Sequence, residues 1–311
     1  MPAAEFDVIN KYFSFSQPHQ AHISLGIGDD GAIVAVPHGY QQVLVSDMLN
    51  ADVHFFADGD PADIAWKAVA VNLSDLAAMG ATPHWILLAL ALPVLDHAWL
   101  TQFSHGLQAV CTRYQVSLVG GDTTQGPLSM TVTAGGLVPN GKAILRSGAQ
   151  LGDWIVVSGP LGGAGLGLAY ARGEIALDEV AAAAALQQLN KPLPQVTLGA
   201  CLGEFAHAAI DISDGLLSDL GHILKASGVG ARLHYEAVPR WPVANDAMVF
   251  TQGDAYQLCF TLPDAAWQCL RRLPEARDCQ VIGHIIEHPG LHVVTQQGEQ
   301  VAFESQGFAH F

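Results

Sequence analysis

Two adjacent carboxylates, Asp29 and Asp30, lie among three glycines in the segment GIGDDG. Like charges at this spacing repel each other, so one side chain should bind a proton unless a cation keeps both ionised. Further aspartates occur in apolar surroundings, next to glycine, serine or a strand end: Asp47, Asp75, Asp122, Asp211 and Asp214. Oxygen ligands without a cluster of histidine and cysteine favour Mg²⁺ over zinc, and protein-bound Mg²⁺ usually shares its ligands with substrate phosphates. For any one of these aspartates a helix cap or a turn is the commoner role, so only the whole set indicates a magnesium site.

Three short features contain residue types that bind phosphate. In GGDT the paired glycines, Gly120 and Gly121, allow main-chain N–H groups to approach a phosphate while Asp122 reaches a metal, although an ordinary turn has the same sequence. In DISDGLLSDL, Ser213 is predicted to cap a helix whose positive end would face an anion. Arg146 is one of 13 basic residues in the chain, and it is predicted either to contact a phosphate or to lie in a solvated loop.

Other features allow both a functional and a structural interpretation. The glycine-rich segment SGPLGGAGLG fits a phosphate-binding turn and close helix packing equally well, and it matches neither the dinucleotide fingerprint nor the Walker pattern. His54, beside two phenylalanines, is more often a core residue than a ligand. Asp63 and Lys67 share one face of a predicted helix and are interpreted as a surface pair, whereas Asp75 lies inside that helix and is not explained as a cap.

Alternating strands and helices must position these residues. Strands are predicted in both halves of the chain, for QQVLVSDML, WILLALAL, VSLVGGD, LSMTVTAGGLV, DWIVVSG, AAIDIS, YQLCFTL and VIGHII. Helices are predicted from Pro61 to Gly80, after Asp96, in AAAAALQQL and in DGLLSDLGHILKASG. Interleaved strands and helices indicate an α/β or α+β fold. Because ligands in such sheets bind where strands end, the aspartates at the strand ends would serve one shared site at a domain junction.

The composition restricts the class of protein. The chain has 311 residues, of which 50% are hydrophobic and 14% are charged, and this suits two globular domains with a boundary near residue 148. The net charge of −16 argues against nucleic acid as a partner, yet bound Mg²⁺ would let a phosphorylated substrate approach. The longest apolar run, Trp85–Leu92, is too short to span a membrane, and the N-terminus lacks the pattern of a signal peptide. We therefore expect a cytoplasmic protein without a membrane partner.

Taken together, these segments resemble the thiamine-monophosphate kinase family, within the superfamily of aminoimidazole-ribonucleotide-synthetase-like, ATP-dependent enzymes. The resemblance spans almost the whole chain, and its most specific pieces are KAVAVNLSDLAAMGATP, GGDTTQGPLSMTV, RSGA, AIDISDGLLSDLGHI and YQLCFT. It implies a two-domain α/β (α+β) architecture of mixed sheets flanked by helices. Residues 1–148 would form an N-terminal domain for metal and ATP binding and for dimerisation, and residues 149–311 a C-terminal domain that completes the ATP and substrate site.

The resemblance also implies an activity and a set of roles. A homodimer would transfer the γ-phosphate of ATP to thiamine phosphate, giving thiamine diphosphate. Direct transfer without a protein nucleophile is expected, because phosphoryl transfer mainly needs charge neutralisation and in-line placement. Several Mg²⁺ ions would be held by Asp30, Ser46, Asp47, Asp75, Asp122, Asp211 and Asp214. ATP would contact Gly121, Asp122, Arg146 and Ser213, and thiamine phosphate would contact His54, Asp254 and Ser305.

The sequence departs from the family pattern in three places. Val45 stands where a serine or threonine metal ligand is usual, and Ser305 stands where an aromatic residue often stacks on the substrate. QGDAYQL replaces GGEDYEL, which puts Asp254 in place of a glutamate and Ala255 in place of an acid. These departures imply an intact metal–ATP core and an altered acceptor pocket.

Two alternative functions stay open at this point. One is another ATP-dependent enzyme of the superfamily, such as a ligase of purine synthesis or a selenophosphate synthetase. Selenophosphate synthetases use a cysteine or selenocysteine near the N-terminus, and here no cysteine precedes Cys111. The other alternative is a non-catalytic nucleotide-binding homologue that has lost its acceptor pocket.

Overall fold

The computed structural model describes residues 5–18, 20–303 and 307, and these residues divide into two units. The first unit consists of the residues before Ala77 together with Ala81–Gly141. The second unit consists of Ala77–Gly80 together with the residues from Lys142 onward. Within the described residues, no helix has both the length and the apolar character needed to cross a membrane.

The first unit is built around a four-stranded sheet. Its elements in chain order are α1 (Glu5–Tyr12), β1 (Ile23–Leu25), β2 (Ile33–Val34), β3 (Tyr40–Asn50), α2 (Pro61–Ala78), β4 (Thr82–Leu92), α3 (His97–Tyr114), β5 (Ser117–Gln125) and β6 (Ser129–Pro139). The strands of the sheet lie in the order β3-β6-β4-β5, where β4 and β5 are parallel and the other pairs are antiparallel. Strands β1 and β2 form a separate antiparallel pair. The strands and helices predicted for this half of the chain are confirmed.

Local sequence signals determine where the two long helices begin. Helix α2 begins at Pro61, directly after Asp60, and it ends shortly before Gly80, whose φ of +71° is left-handed. Helix α3 begins after Asp96, whose carboxylate accepts the N–H of Ala98 at 2.8 Å. A proline after an acid and an aspartate cap are both readable in the sequence, which is why these boundaries were predictable.

The two faces of this sheet differ in exposure. Val43 and Leu49 of β3 point to one face and are buried. Gly136, opposite Val43 on β6, lies against Leu76 of α2, so α2 covers this face. The alternate residues of β3 point to the other face and form an outer strip of Tyr40, Leu44 and Met48, which are 45%, 63% and 55% exposed. The outer strip is therefore an accessible apolar surface of the single chain.

The second unit is built around a seven-stranded sheet. Its elements are β7 (Trp154–Val157), α4 (Gly163–Ala171), α5 (Glu179–Asn190), α6 (Val196–Leu202), β8 (Ala208–Asp211), α7 (Leu216–Ser227), β9 (Gly230–His234), α8 (Asp246–Phe250), β10 (Leu258–Leu262), α9 (Asp264–Leu270), β11 (Gln280–Ile286), β12 (Gly290–Val294) and β13 (Gln300–Val301), with short 3-10 helices at Tyr235–Ala237 and Pro274–Ala276. The order is β13-β12-β9-β11-β7-β10-β8, and among these described strands only β9 and β12 pair in parallel.

Helices cover both faces of the seven-stranded sheet. Ile155 and Ile210 belong to one buried cluster, with residues of α4, α5, α7 and α8. Their strand neighbours Val156 and Ala209 belong to a second cluster, with residues of α6 and α9. Mixed sheets flanked by helices were predicted from the sequence, and this fold class is confirmed.

The glycine-rich segment is explained by close packing of α4. A Cβ atom on Gly163 would lie 2.7 Å from the ring of Trp241. A Cβ atom on Gly167 would lie 2.4 Å from the carbonyl oxygen of Ala185 on α5. Of the two interpretations of SGPLGGAGLG, the structure therefore favours helix packing over a phosphate-binding turn.

Candidate active site

Asp47 and Asp75 in the first unit are hydrogen-bonded to each other through their carboxyl groups. Asp47 lies on β3, and Asp75 lies on α2, three residues after Asn72. Asn72 is completely buried; its Oδ1 accepts the N–H of Asp47 at 3.0 Å, and its Nδ2 donates to the carbonyl oxygen of Ala68 at 3.0 Å. One face of α2 therefore positions both the main chain and the side chain of Asp47.

The electrostatics of this pair suit a cation. Burial raises the pKa of Asp47, while the hydrogen bond with Asp75 and the nearby charge of His54 oppose the rise. Two carboxyl groups at hydrogen-bond distance do not both ionise readily unless a cation lies between them. Carboxylates are hard oxygen donors, so the pair fits Mg²⁺ in donor chemistry.

The pair is smaller than a complete metal site. Across residues 5–18, 20–303 and 307, no group of three or more His, Cys, Asp or Glu side chains is arranged to hold a metal ion. Mg²⁺ commonly uses one or two carboxylates and takes its other ligands from water and substrate phosphates. A carboxylate pair is therefore a sufficient protein contribution for this ion.

Ser46 and Asp47 point to opposite faces of β3, because successive side chains of a strand alternate. The hydroxyl of Ser46 lies 3.0 Å from the hydroxyl of Thr133 on β6, on the same face as the outer strip. Val45 is the neighbour that shares the face of Asp47. The Ser46 side chain therefore points away from the Asp47–Asp75 pair, and only its main chain is adjacent to it.

His54 lies in a tight loop after β3. Its Nδ1 accepts the N–H of Asn50 at 3.0 Å, so the neutral ring carries its proton on Nε2. Lys67 of α2 donates from Nζ to the carbonyl oxygen of His54 at 3.0 Å and is only 3% exposed. The interpretation of Lys67 as half of a surface pair is therefore wrong, because the loop around His54 buries it.

Gly121 and Asp122 lie on β5, where the strand runs parallel to β4. A Cβ atom on Gly121 would lie 1.8 Å from the carbonyl oxygen of Leu88, so no other residue fits there without displacement of the strand. The next residue, Asp122, is exposed. This close approach fixes the main chain from which the exposed Asp122 side chain projects.

Asp29 and Asp30 are exposed in the GIGDDG loop. The carboxylate of Asp29 accepts the N–H of Asp30 at 2.8 Å, which is a local turn bond. A Cβ atom on Gly26 would meet nothing within 4 Å, so packing does not require a glycine there. The two carboxylates lie on an open loop, as their flexible sequence predicted.

The loop after β8 contains Ser213 and Asp214 and leads into helix α7, and the start of this helix is not capped as predicted. Helix α7 has Gly215 at its cap position without a side-chain hydrogen bond, so the prediction that Ser213 caps this helix is wrong. Instead, Oδ2 of Asp219 accepts the N–H groups of Ser213, Asp214 and Gly215, each at 3.0 Å. The positive end of α7 therefore faces a carboxylate of the protein itself.

Acidic groups are concentrated around this loop. Asp211 at the end of β8 and Asp219 in α7 are 4% and 2% exposed. Burial raises the pKa of Asp219 to about 7 against the lowering effect of its main-chain hydrogen bonds, and the charges of Asp214 and Asp211 contribute to the rise. Asp219 lies in the segment DISDGLLSDL, but nothing in the local sequence distinguishes it from an ordinary helix residue.

Arg146 lies in an exposed loop that Ser227 holds in place. The hydroxyl of Ser227, at the end of α7, donates to the carbonyl oxygen of Arg146 at 3.3 Å. The same hydroxyl oxygen accepts the N–H groups of Gly148 and Ala149, each at 3.1 Å. The loop before β7 is thus fixed to the helix that follows Ser213 and Asp214, in the same unit.

Asp254 adjoins the same loop. Its N–H donates to the carbonyl oxygen of Ser213 at 2.9 Å, and its carboxylate accepts the hydroxyl of Tyr256 at 2.9 Å. Asp254 and Tyr256 have φ values of +63° and +47°, a region that residues other than glycine rarely adopt. The second unit therefore brings together Ser213, Asp214 and Asp254, whereas Ser305 lies outside the described residues.

Comparisons with known proteins identify the family. Residues 28–138 match the N-terminal domain of the AIR synthase related proteins, and residues 150–296 match their C-terminal domain. The chain is 42% identical over 329 residues to the thiamine-monophosphate kinase of Salmonella typhimurium. The aligned region covers 100% of this chain and 99% of the relative. The chain belongs to the thiamine-monophosphate kinase family.

Solved structures of the family have the same fold. The crystal structure of thiamine-monophosphate kinase from Stenotrophomonas maltophilia K279a matches with a TM-score of 0.83 and 41% identity, and it covers 91% of this chain and 93% of that chain. The structure of AaThiL complexed with AMPPCP and TMP matches with a TM-score of 0.79 and 32% identity, and it covers 93% of each chain. The predicted family, fold class and enzyme class are therefore confirmed.

Proposed function

We propose that the protein transfers the γ-phosphate of ATP to thiamine phosphate and releases thiamine diphosphate. The proposal is supported by the 42% identity to a thiamine-monophosphate kinase that spans both chains almost completely. It is also supported by the similarity to AaThiL, which was solved with AMPPCP and TMP. AMPPCP has a methylene group in place of the oxygen between the β- and γ-phosphorus atoms, so it stands for ATP before transfer.

Mg²⁺ is the proposed cofactor. In the first unit, Asp30, Asp47, Asp75 and Asp122 would hold it, with the partly buried Asp47–Asp75 pair as the main anchor, and Ser46 would contribute through its main chain only. In the second unit, Asp211 and Asp214 would do so. When bound, magnesium offsets the negative charge of the phosphates.

The protein's own groups would place the two substrates. Ser213 offers a hydroxyl to ATP, Arg146 offers a permanent positive charge, and the main chain at Gly121 would also contact ATP. His54 offers Nε2–H to the phosphate of the acceptor, and Asp254 and Ser305 would complete the acceptor pocket.

The acceptor attacks directly in this proposal. A phosphate monoester is already largely ionised at neutral pH, so its oxygen needs no general base. No phospho-enzyme is required, and the protein's task is to neutralise repulsion and align the two phosphates.

The protein is also proposed to be a homodimer in the cytoplasm, where ATP is available. The outer strip of Tyr40, Leu44 and Met48 on β3 supports the dimer, because several large exposed apolar residues on one sheet face often meet a partner. A second copy would place an identical strip against it.

Incubation of the purified protein with thiamine phosphate, ATP and MgCl₂ tests the proposal. We expect thiamine diphosphate and ADP in equal amounts by chromatography, and no product when EDTA replaces MgCl₂. ATP binding without product would instead favour the non-catalytic homologue, and product from a different acceptor alone would favour another enzyme of the superfamily.

A further inference from the structure

The side chain of Asp219 makes an unusual set of contacts at the start of α7. One oxygen, Oδ2, accepts three consecutive main-chain N–H groups, those of Ser213, Asp214 and Gly215, at 3.0 Å each. Asp219 itself is only 2% exposed. A polar side chain is costly to bury, and hydrogen bonds of this kind offset that cost.

The opposite side of the same loop is also fixed. The N–H groups of Asp254 and Tyr256 donate to the carbonyl oxygens of Ser213 and Ile212, at 2.9 and 2.8 Å. A Cβ atom on Gly253 would lie 2.1 Å from the carbonyl oxygen of Ser213, so the two segments are in close contact. The loop is thus held between Asp219 on one side and the 253–256 segment on the other.

This arrangement decides what the loop can bind. Consecutive free N–H groups at a helix N-terminus form an anion site. Here Asp219 already occupies the N–H groups of residues 213–215, so they are not available to a phosphate. What the loop still offers a ligand is the hydroxyl of Ser213 and the carboxylate of Asp214, both partly exposed.

We propose that Asp219 is a positioning residue that directs the side chains of Ser213 and Asp214 toward magnesium-bound ATP without touching the ligand itself. This inference rests on the proposed function. It assigns the loop to cation binding through Asp214 and a single hydroxyl contact, and it excludes a phosphate cradle of main-chain N–H groups there.

Three substitutions at Asp219 test the role. Asp219→Ala removes the acceptor, Asp219→Glu keeps the carboxyl group but moves it outward by one methylene, and Asp219→Asn keeps an acceptor oxygen at the same distance. Loss of a group that orients metal ligands typically weakens metal affinity by about 10–100-fold. We expect the Ala and Glu variants to need about tenfold more Mg²⁺ for half-maximal turnover, and the Asn variant to stay within about threefold of wild type.

The matched control is Asp178→Ala, since Asp178 is a helix-capping aspartate in the same unit that accepts the N–H of Ala181 at 2.8 Å. We expect this control to lower the melting temperature without changing the Mg²⁺ requirement. The second readout is the rise in melting temperature on adding ATP and MgCl₂, which should shrink for Asp219→Ala and persist for Asp178→Ala.

The outcomes separate this inference from the proposed function. An Asp219→Ala variant that loses stability but keeps the wild-type Mg²⁺ requirement and ATP-induced shift would overturn the positioning role. Should the Ala variant not fold, the Mg²⁺ requirements of the Asn and Glu variants are compared instead. Equal requirements for these two variants would overturn the positioning role. A wild-type protein that makes no thiamine diphosphate would overturn the proposed function, and the ATP-induced shift would then test Asp219 by itself.

Discussion

Asp47 on β3 and Asp75 on α2 share a hydrogen bond between their carboxyl groups although both are acids. Burial raises the pKa of Asp47 and so disfavours its ionised form, and two neighbouring carboxylates repel each other when both are ionised. The folded protein without a cation therefore contains a local electrostatic strain, and a divalent ion relieves it. Removal of one charge should have opposite effects on stability with and without metal.

Asp75→Asn should raise the melting temperature of the metal-free protein by about 2–4 °C, because an amide donates to Asp47 without competing for the charge. It should abolish the stabilisation by millimolar MgCl₂ and lower kcat by about a hundredfold. Scanning calorimetry in EDTA and in MgCl₂ measures both effects. Glu174→Gln, an exposed acid, is the control and should respond to MgCl₂ like wild type. If MgCl₂ raised the melting temperature of the Asp75→Asn protein as much as that of wild type, the pair would be excluded as a metal anchor.

Asn72→Ala should destabilise the protein by about 1–3 kcal/mol, because the N–H of Asp47 loses the acceptor that the buried Asn72 provides. It should also raise the Mg²⁺ concentration for half-maximal turnover by about 10–100-fold. Urea unfolding and a magnesium titration of the activity measure these two quantities. Asn245→Ala is the control, because Oδ1 of Asn245 caps a helix by accepting the N–H of Met248 at 3.0 Å. This substitution should lower the free energy of unfolding by about 1 kcal/mol and leave the magnesium requirement unchanged. Equal magnesium requirements for the two variants would reduce Asn72 to a structural residue.

His54→Asn should raise the KM for thiamine phosphate by about tenfold and leave the KM for ATP unchanged. The reason is that asparagine can still accept the N–H of Asn50 but lacks the donor that histidine carries at Nε2. Steady-state kinetics with each substrate varied in turn give both constants. An unchanged KM for thiamine phosphate would mean that His54 only shapes its loop.

Gly121→Ala should prevent stable folding or cost more than about 3 kcal/mol, because its Cβ would lie 1.8 Å from the carbonyl oxygen of Leu88. Gly26→Ala is the matched substitution, since a Cβ there meets nothing within 4 Å, and it should change stability by less than about 0.5 kcal/mol. Soluble yield and chemical unfolding compare the two. A stable Gly121→Ala protein would show that β4 and β5 can move apart.

Leu44→Asp should convert the proposed dimer into a monomer, because a charge on the outer strip would be buried against its symmetry mate. Light scattering coupled to size-exclusion chromatography gives the mass directly. Val180→Asp, at a residue that is 82% exposed on α5, should leave the mass unchanged. A wild-type protein that elutes as a monomer at micromolar concentration would refute the dimer.

Much of the fold follows from local patterns in the sequence. The alternation in β3, the Asp60-Pro61 start of α2 and the Asp96 cap of α3 are local signals, and the structure agrees with each. The opposite orientation of Ser46 and Asp47 also follows from strand alternation, but the family resemblance had placed both in one ligand set.

Other features depend on the tertiary path of the chain and could not be predicted. Lys67 is buried where it contacts the loop around His54, and no local sequence pattern predicts this contact. Asp219 lies in the first turn of α7, where an acid is usually explained by the helix dipole. The hydrogen bond from the N–H of Ser213 to Asp219 depends on the path of the loop between them. That path is also fixed by a hydrogen bond from Asp254, which is distant in the sequence.

The glycines of α4 have a consequence for the order in which the second unit acquires its structure. Gly163, Gly165 and Gly167 make an isolated nine-residue helix unstable, since glycine is among the poorest helix formers and short helices are marginal in water. In a newly synthesised chain this segment should stay uncoiled until α5 has been made and can dock against it. Molecular chaperones would therefore meet a nascent second unit in which α4 is still uncoiled when its own residues have already been synthesised.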